Sequence, residues 1–147
     1  MSTHQPFNDT IVKTTSKVIW FGIQSSVPIF IAAILALKFI ANFEPIMPDL
    51  KNIFMGICVF TIPLPFFLLN QFRRKQREIN GNIQLGMDNA PKDLQRYMSL
   101  LIIGLSLCNL SAAFGLVLFV ISGAMEPAIF FTCISFLLGF LYKPTLN

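Results

Sequence analysis

The stretch Tyr97–Met125 reads YMSLLIIGLSLCNLSAAFGLVLFVISGAM and contains no charged residue. A helix needs about 20 apolar residues to cross the hydrocarbon core of a bilayer, which is about 30 Å thick. This stretch is longer than that, and its residues do not alternate between apolar and polar as they do in a membrane β-strand. It therefore predicts a transmembrane α-helix, and this helix decides the fold class.

Three further stretches lack charged residues, namely Val18–Leu37, Asn52–Phe72 and Pro127–Tyr142. The first two are long enough to span a bilayer. The last is slightly shorter than the usual minimum of about 17 residues, so Lys143 must extend toward the headgroups or the bilayer must be thin there.

The overall composition agrees with a membrane protein. The chain has 147 residues, of which 54% are hydrophobic and 12% are charged, and its mean hydropathy is +0.68. Soluble domains carry about 25% charged residues. The composition therefore excludes a disordered chain, a coiled coil and most soluble enzymes.

We predict an all-α integral membrane protein with four transmembrane helices arranged as two hairpins in a single domain. The approximate spans are 18–38, 52–72, 97–122 and 127–143, and a connector over 73–96 joins the hairpins. The first block is too long for a cleaved signal peptide and is read as a retained anchor.

Proline and glycine mark the predicted turns. The first hairpin turns where Glu44-Pro45 and Pro48-Asp49 interrupt the helix, and the second turns at Gly123–Pro127. The connector is predicted to turn at Asn80-Gly81 and to enter a helix near Pro91, because proline is favoured in a first helical turn.

Prolines inside the spans predict kinks. Pro28 lies in the first span, and Pro63 and Pro65 lie in the second. Each lacks a backbone N–H and interrupts the hydrogen bonds of the helix. The hydroxyl of Thr61 is predicted to satisfy a carbonyl that the second kink frees.

Lysine and arginine are distributed unequally between the two sides of this bundle. The terminal tails and the connector hold nine of the 11 Lys and Arg residues, and the opposite side holds only Lys38 and Lys51. Because cytoplasmic loops are enriched in these residues, both termini and the connector are predicted to be cytoplasmic. Trp20, Tyr97 and Tyr142 would then lie at the cytoplasmic interface as aromatic anchors.

A stripe of small residues runs along the third span. Gly104, Cys108, Ser111 and Gly115 recur at intervals of four, three and four residues, which places them on one helix face. Small residues allow helices to approach closely in lipid. We expect this face to pack within the bundle. The alternative is a groove that receives a helix of another subunit.

Asn109 lies near the middle of the same span, off the small stripe. An amide at this depth requires a hydrogen-bond partner. Gln24, Ser25 and Ser26 of the first span are the candidates. The prediction is a structural bond between helices, and the alternative is contact with a transported substrate or ion.

A juxtamembrane basic cluster follows the second span, formed by Arg73, Arg74, Lys75 and Arg77. Such residues attract anionic headgroups by about 1 kcal/mol each. We expect the cluster to fix topology and to contact lipid headgroups or a cytoplasmic partner. Nucleic acid is not expected, because the basic residues lie between apolar blocks rather than on a soluble face.

Several function classes lack the residues that they need. The only histidine is His4 in the polar tail, and no acidic or basic residue lies inside a span. This disfavours haem ligation, nucleophile–histidine catalysis, histidine-based metal sites and proton-coupled transport. Cys58, Cys108 and Cys133 fall in apolar blocks without metal spacing. We expect no enzymatic activity, no cofactor and no metal.

The segment Gly104–Gly123, GLSLCNLSAAFGLVLFVISG, resembles the ion-carrying helix of rotary ATPase proteolipid (c) subunits. In that family an alanine-rich run and an essential carboxylate precede an apolar run of the type A-x-Y/F-G-L-V, which Ala112–Val117 matches. The carboxylate position falls at or near Asn109, which cannot carry a proton. The glycine-rich partner helix is absent from Ile53–Leu69, and the loop is far longer than a proteolipid hairpin loop. The resemblance therefore implies a proteolipid-like hairpin without ion transport.

These features predict a non-catalytic accessory, scaffolding or assembly subunit of a larger membrane protein complex, which acts through packing of transmembrane helices. The expected partners are membrane lipids and other membrane subunits, in a hetero- or homo-oligomer. The expected location is a bacterial plasma (inner) membrane. The alternative is a small carrier or channel for a neutral or lipid-like solute, with Asn109, Gln24 and the proline kinks along its path.

Overall fold

The computed structural model describes residues 9–40, 44–84 and 91–146. These residues are 87% helical and contain no β-strand. A short 3₁₀ turn, Pro48–Leu50, precedes the third helix. The α-helices of the described residues are α1 (Asp9–Gln24), α2 (Ser26–Phe39), α3 (Lys51–Thr61), α4 (Leu64–Gln84), α5 (Pro91–Ser122) and α6 (Met125–Phe140).

Three helical segments are long and apolar enough to cross a membrane, namely Thr10–Phe39, Pro48–Ile83 and Lys92–Ser122. The first consists of α1 and α2, the second of the 3₁₀ turn with α3 and α4, and the third of α5. α6 is also apolar, but it has only 16 residues. The all-α class and the integral membrane character are therefore confirmed.

α5 is the centre of the bundle. It has 32 residues, which corresponds to about 48 Å, and it contacts α1, α2, α3, α4 and α6. α6 folds back along it after a turn at Gly123 and Ala124. Gly123 has a φ of 68°, in the left-handed region that glycine adopts without strain. The predicted turn is thus confirmed at Gly123, whereas Pro127 already lies in the first turn of α6.

The second span is broken where its prolines predict. α3 ends at Thr61 and α4 begins at Leu64. The amide of Ile62 donates to Val59 O at 3.2 Å, one residue short of the α-helical partner. The hydroxyl of Thr61 donates instead to the carbonyl of Cys58 at 2.6 Å, and the predicted role of Thr61 is confirmed.

The first span is broken at Ser25, three residues before Pro28. The proline ring lacks an N–H and crowds the carbonyl one turn earlier, which ends α1 at Gln24. The hydroxyl of Ser25 donates to Gly22 O at 2.8 Å, and that of Ser26 donates to Ile23 O at 2.7 Å. The break therefore presents backbone carbonyls that polar side chains bind.

The predicted turn at Asn80-Gly81 is wrong, because α4 continues through both residues to Gln84. The physical reason is the spacing of Phe72, Gln76 and Ile79, which lie on one helix face and are all buried. Packing of this face outweighs the cost of about 1 kcal/mol for a glycine in a helix. The predicted helix start near Pro91 is confirmed.

The carboxyl-terminal segment after α6 stabilises this extension of α4. Gln76 Nε2 donates to Thr145 Oγ1 at 3.0 Å, and Asn80 Nδ2 donates to Thr145 O at 3.0 Å. Leu146 is buried in the same cluster as Ile79. Much of the predicted connector is therefore a helix that packs against the end of the chain.

The predicted interfacial role of two tyrosines is also wrong. Tyr97 and Tyr142 are both 0% exposed and pack in the core. Their rings lie against Phe72, with centroid distances of 5.5 and 5.1 Å, and the hydroxyl of Tyr142 donates to Pro65 O. Only Trp20 of the three aromatic residues is partly exposed. The expected orientation therefore rests on the basic residues alone.

Candidate functional site

Asn109 lies at a junction of three helical segments. Its Nδ2 donates to Ile23 O and to Ser26 Oγ, both at 3.0 Å, at the break between α1 and α2. Its Oδ1 accepts a hydrogen bond from Ser135 of α6 at 3.4 Å. Of the three partners that the sequence offered, Ser26 is confirmed. Ser135 was not predicted, because the sequence of an apolar helix does not show toward which neighbour its serine points.

Gln24 joins α1 to α6 and does not contact Asn109 through a hydrogen bond. Its Nε2 donates to Phe136 O at 2.8 Å. Its side chain lies where a Cβ of Gly139 would stand, so only glycine permits this approach. Its Oε1 is buried and has no hydrogen-bond partner among the described residues. One helical turn earlier, Trp20 Nε1 donates to Gly139 O at 3.0 Å.

This geometry bears on the two functions that the sequence left open for the intramembrane amides. A solute path would need the amide donors of Asn109 and Gln24 to be available to the solute. Both amide nitrogens instead bind groups of neighbouring helices. The arrangement favours a structural role for both residues over a place along a carrier path.

Replacing Asn109 by leucine is expected to lower the free energy of unfolding by about 1–2 kcal/mol, since hydrogen bonds between membrane helices contribute about 0.6 kcal/mol each on average. Unfolding in mixed micelles, followed by the fluorescence of Trp20, the only tryptophan, measures this change. Ser106→Leu is the matched control, because Ser106 is exposed on the same helix. Equal stabilities for the two variants would contradict the structural role.

The stripe of small residues on α5 is covered within the chain. A Cβ at Gly104 would overlap the ring of Tyr142, and a Cβ at Gly115 would lie 2.9 Å from Ala128 O of α6. Cys108 and Ser111 are each 0% exposed, and the Ser111 hydroxyl has no partner among the described residues. The stripe therefore packs inside the bundle, and α6 occupies the groove that another subunit would need.

The basic cluster lies on the extension of α4. Lys75 Nζ contacts Glu78 Oε2 at 2.7 Å and Asp93 Oδ1 at 2.9 Å, so it connects α4 to α5. Arg74 Nε contacts Glu78 Oε1 at 3.1 Å. Arg73 and Arg77 are exposed and make no ion pair among the described residues. Lys75 is thus tied to α5, whereas Arg74 pairs within α4 and the other two residues of the cluster face outward.

An outward face of the second span was missed by sequence reasoning. Five residues spaced three, four, three and four apart are all exposed, and they are Ile53, Gly56, Phe60, Pro63 and Phe67. This spacing is the repeat of a left-handed helix–helix seam. The spacing was present in the sequence, but the sequence did not show which face of the span lies outward. Ile53, Gly56 and Phe60 lie on α3, whereas Pro63 lies in the break and Phe67 lies on α4. We call these five residues the α3 seam.

A recess of about 440 Å³ opens beside the α3 seam at the proline break, and it is lined by Val59, Phe60, Ile62, Pro63 and Phe66. Its lining is almost entirely apolar. A Cβ at Gly56 would meet no atom within 4 Å. The seam therefore combines an open glycine with an adjacent apolar recess.

No group of three or more potential metal ligands occurs among the described residues. Cys58 and Cys108 are buried, whereas Cys133 is exposed. No known family model, no curated protein and no solved structure matches this chain.

Proposed function

We propose that this protein is a non-catalytic accessory or assembly subunit of a larger membrane protein complex. The α3 seam carries this proposal, because it is an exposed face with the spacing of a helix interface, and it contains a glycine, Gly56. The occupant that fits it is an apolar transmembrane helix of another membrane subunit. The small stripe on α5 does not serve as the docking face, since α6 covers it.

The packing of α3 supports this assignment of the interface. α3 packs on α5, and its opposite side remains exposed. Ile53 is 61% exposed and Phe60 is 79% exposed, on either side of Gly56. A helix that approaches Gly56 would place side chains beside Phe60 and in the recess at Pro63. Close contact of this kind stabilises helix pairs in lipid, where apolar burial alone contributes little.

Replacing Gly56 by leucine is expected to reduce co-purification of partner chains by about fivefold or more, because a bulky side chain at a close helix contact costs about 1–3 kcal/mol. The tagged full-length chain is purified from its native membrane in mild detergent, and associated chains are quantified by mass spectrometry. Gly22→Leu is the matched control, because Gly22 is exposed and a Cβ there would also meet no atom within 4 Å.

Two results would contradict the proposal. The first is a monodisperse species of one or two copies of this chain with no other polypeptide. The second is equal loss of associated chains in both leucine variants, since that would show no specific role for the α3 seam. The variants themselves are expected to fold like the natural protein, because neither glycine lies in a packed interior.

We further propose that α6 is a fourth crossing, so that the chain forms two hairpins with both termini in the cytoplasm of a bacterial plasma membrane. The proposal is supported by nine of the 11 Lys and Arg residues, which this topology places on one side. Impermeant labelling of tags at the two termini is expected to modify both from the same face. Labels on opposite faces would contradict it.

A further inference from the structure

A recess of about 370 Å³ lies between the extension of α4 and the first turns of α5. We call it the α4–α5 recess. It is lined by Gln71, Arg74, Lys75, Glu78, Arg96 and Leu100. Three of these side chains are cationic and one is anionic. Arg96 was not part of the basic cluster recognised in the sequence, because it is distant along the chain from Arg74 and becomes its neighbour only through the pairing of α4 with α5.

The hydrogen bonds inside the recess leave donors available. Arg74 uses Nε to contact Glu78, and its two terminal guanidinium nitrogens make no hydrogen bond among the described residues. Arg96 makes no ion pair among the described residues either. Lys75 is held by Glu78 and Asp93 and is only 19% exposed, so it supplies positive charge from a fixed position. Arginine donors in this arrangement match the oxygens of a phosphate group.

The recess lies at the boundary between apolar and charged sequence. Arg74 follows the uncharged stretch Asn52–Phe72, and Arg96 directly precedes the uncharged stretch Tyr97–Met125. The apolar wall of the recess is Leu100. Toward the apolar stretch of α5, Ile103 continues the helix face of Arg96 and Leu100, and it is 50% exposed. A charged recess is therefore continuous with an exposed apolar surface.

We propose that the α4–α5 recess binds one anionic phospholipid. Its phosphate lies between Arg74 and Arg96, and an acyl chain lies over Leu100 and Ile103 of α5. Basic recesses between transmembrane helices at the cytoplasmic side are suited to anionic headgroups. A free phosphate would satisfy the arginines but leave the apolar surface uncovered, and a zwitterionic lipid would bring a further cation to a recess that already holds three. The lipid would also pair α4 with α5 at the site where Lys75 already connects them.

Native mass spectrometry of the purified full-length protein tests this proposal, with phosphatidylglycerol, phosphatidylcholine and inorganic phosphate as separate probes. The double variant Arg74→Gln/Arg96→Gln is expected to lose phosphatidylglycerol affinity by about tenfold or more. The matched control is Arg73→Gln/Arg77→Gln, which removes the same total charge but changes no residue that lines the recess. The control variant is expected to retain most of its affinity for phosphatidylglycerol.

Three results would overturn the proposal. They are equal loss of affinity in both double variants, equal binding of phosphatidylglycerol and phosphatidylcholine, and displacement of the lipid by inorganic phosphate at equal concentration. The variant Arg74→Lys/Arg96→Lys keeps both charges, and it is expected to bind more phosphatidylglycerol than the glutamine variant does. If it binds no more than the glutamine variant while circular dichroism shows the natural helix content, the charge of the recess does not hold the lipid.

Discussion

Replacing Gly115 by leucine is expected to separate α6 from α5 and to destabilise the bundle by more than about 3 kcal/mol, the upper end of the usual cost of overpacking. Even a Cβ at this position would lie 2.9 Å from the backbone oxygen of Ala128 and 3.3 Å from Thr132 Oγ1. A backbone oxygen within a helix cannot move aside as the end of a flexible side chain can. The whole of α6 would have to shift, and the hydrogen bond between Ser135 and Asn109 would break with it.

The measurement is the unfolding midpoint in mixed micelles, with Trp20 as the reporter, because its indole binds Gly139 O of α6 and reports directly on the position of that helix. Gly56→Leu serves as the control, since Gly56 is exposed and has open space around it. Natural stability in Gly115→Leu would mean that α6 does not cover the small stripe. The stripe would then again be available to another subunit.

The helix breaks and ends could largely be predicted from the sequence, because proline and glycine act locally. Pro63 and Pro65 interrupt the second span whatever lies around them, and Gly123 permits a backbone conformation that other residues avoid. The sequence also predicted that Asn109 has a hydrogen-bond partner, because this argument too depends on the residue and its apolar surroundings alone. An unpaired amide in an apolar environment costs too much to persist, although the sequence could only narrow the choice of partner.

The predictions that were wrong concern side chains whose role depends on what packs against them. A tyrosine next to a basic residue is equally compatible with the headgroup layer and with a bundle core. Tyr97 and Tyr142 lie in the core because their rings pack against Phe72, and the sequence does not show this contact. Asn80-Gly81 favours a turn locally. The buried face that ends at Ile79 keeps α4 helical there, and that face depends on the distant carboxyl-terminal segment.

The candidate interface shows the same limit. Gly56 and Gly115 are both glycines within apolar helices, and no local signal distinguishes them. One lies against a backbone oxygen of α6, and the other faces outward. Their different roles arise because α5 is surrounded by the other helices, whereas α3 has a neighbour on one side. Sequence reasoning therefore found the small-residue face of α5 and expected it to pack within the bundle, but it did not find the exposed face that contains Gly56.

Replacing Tyr142 by alanine is expected to cost about 3–5 kcal/mol, the usual penalty for removing a buried aromatic ring. The ring fills the space above Gly104, packs against Phe72 with a centroid distance of 5.1 Å, and is 0% exposed. Its hydroxyl donates to Pro65 O at the start of α4. One side chain near the end of the protein thus connects α4, α5 and the segment after α6, and its loss would leave a cavity between all three.

The expected loss of stability depends on how much of the side chain is removed. Tyr142→Phe keeps the ring and loses one hydrogen bond, so about 1 kcal/mol is expected. Lys143→Ala changes an exposed neighbour and is expected to have no measurable effect. Unfolding in mixed micelles measures all three variants. If the alanine variant were as stable as the phenylalanine variant, the ring would not be packed in the core, and the carboxyl-terminal segment would not stabilise the extension of α4 as the structure indicates.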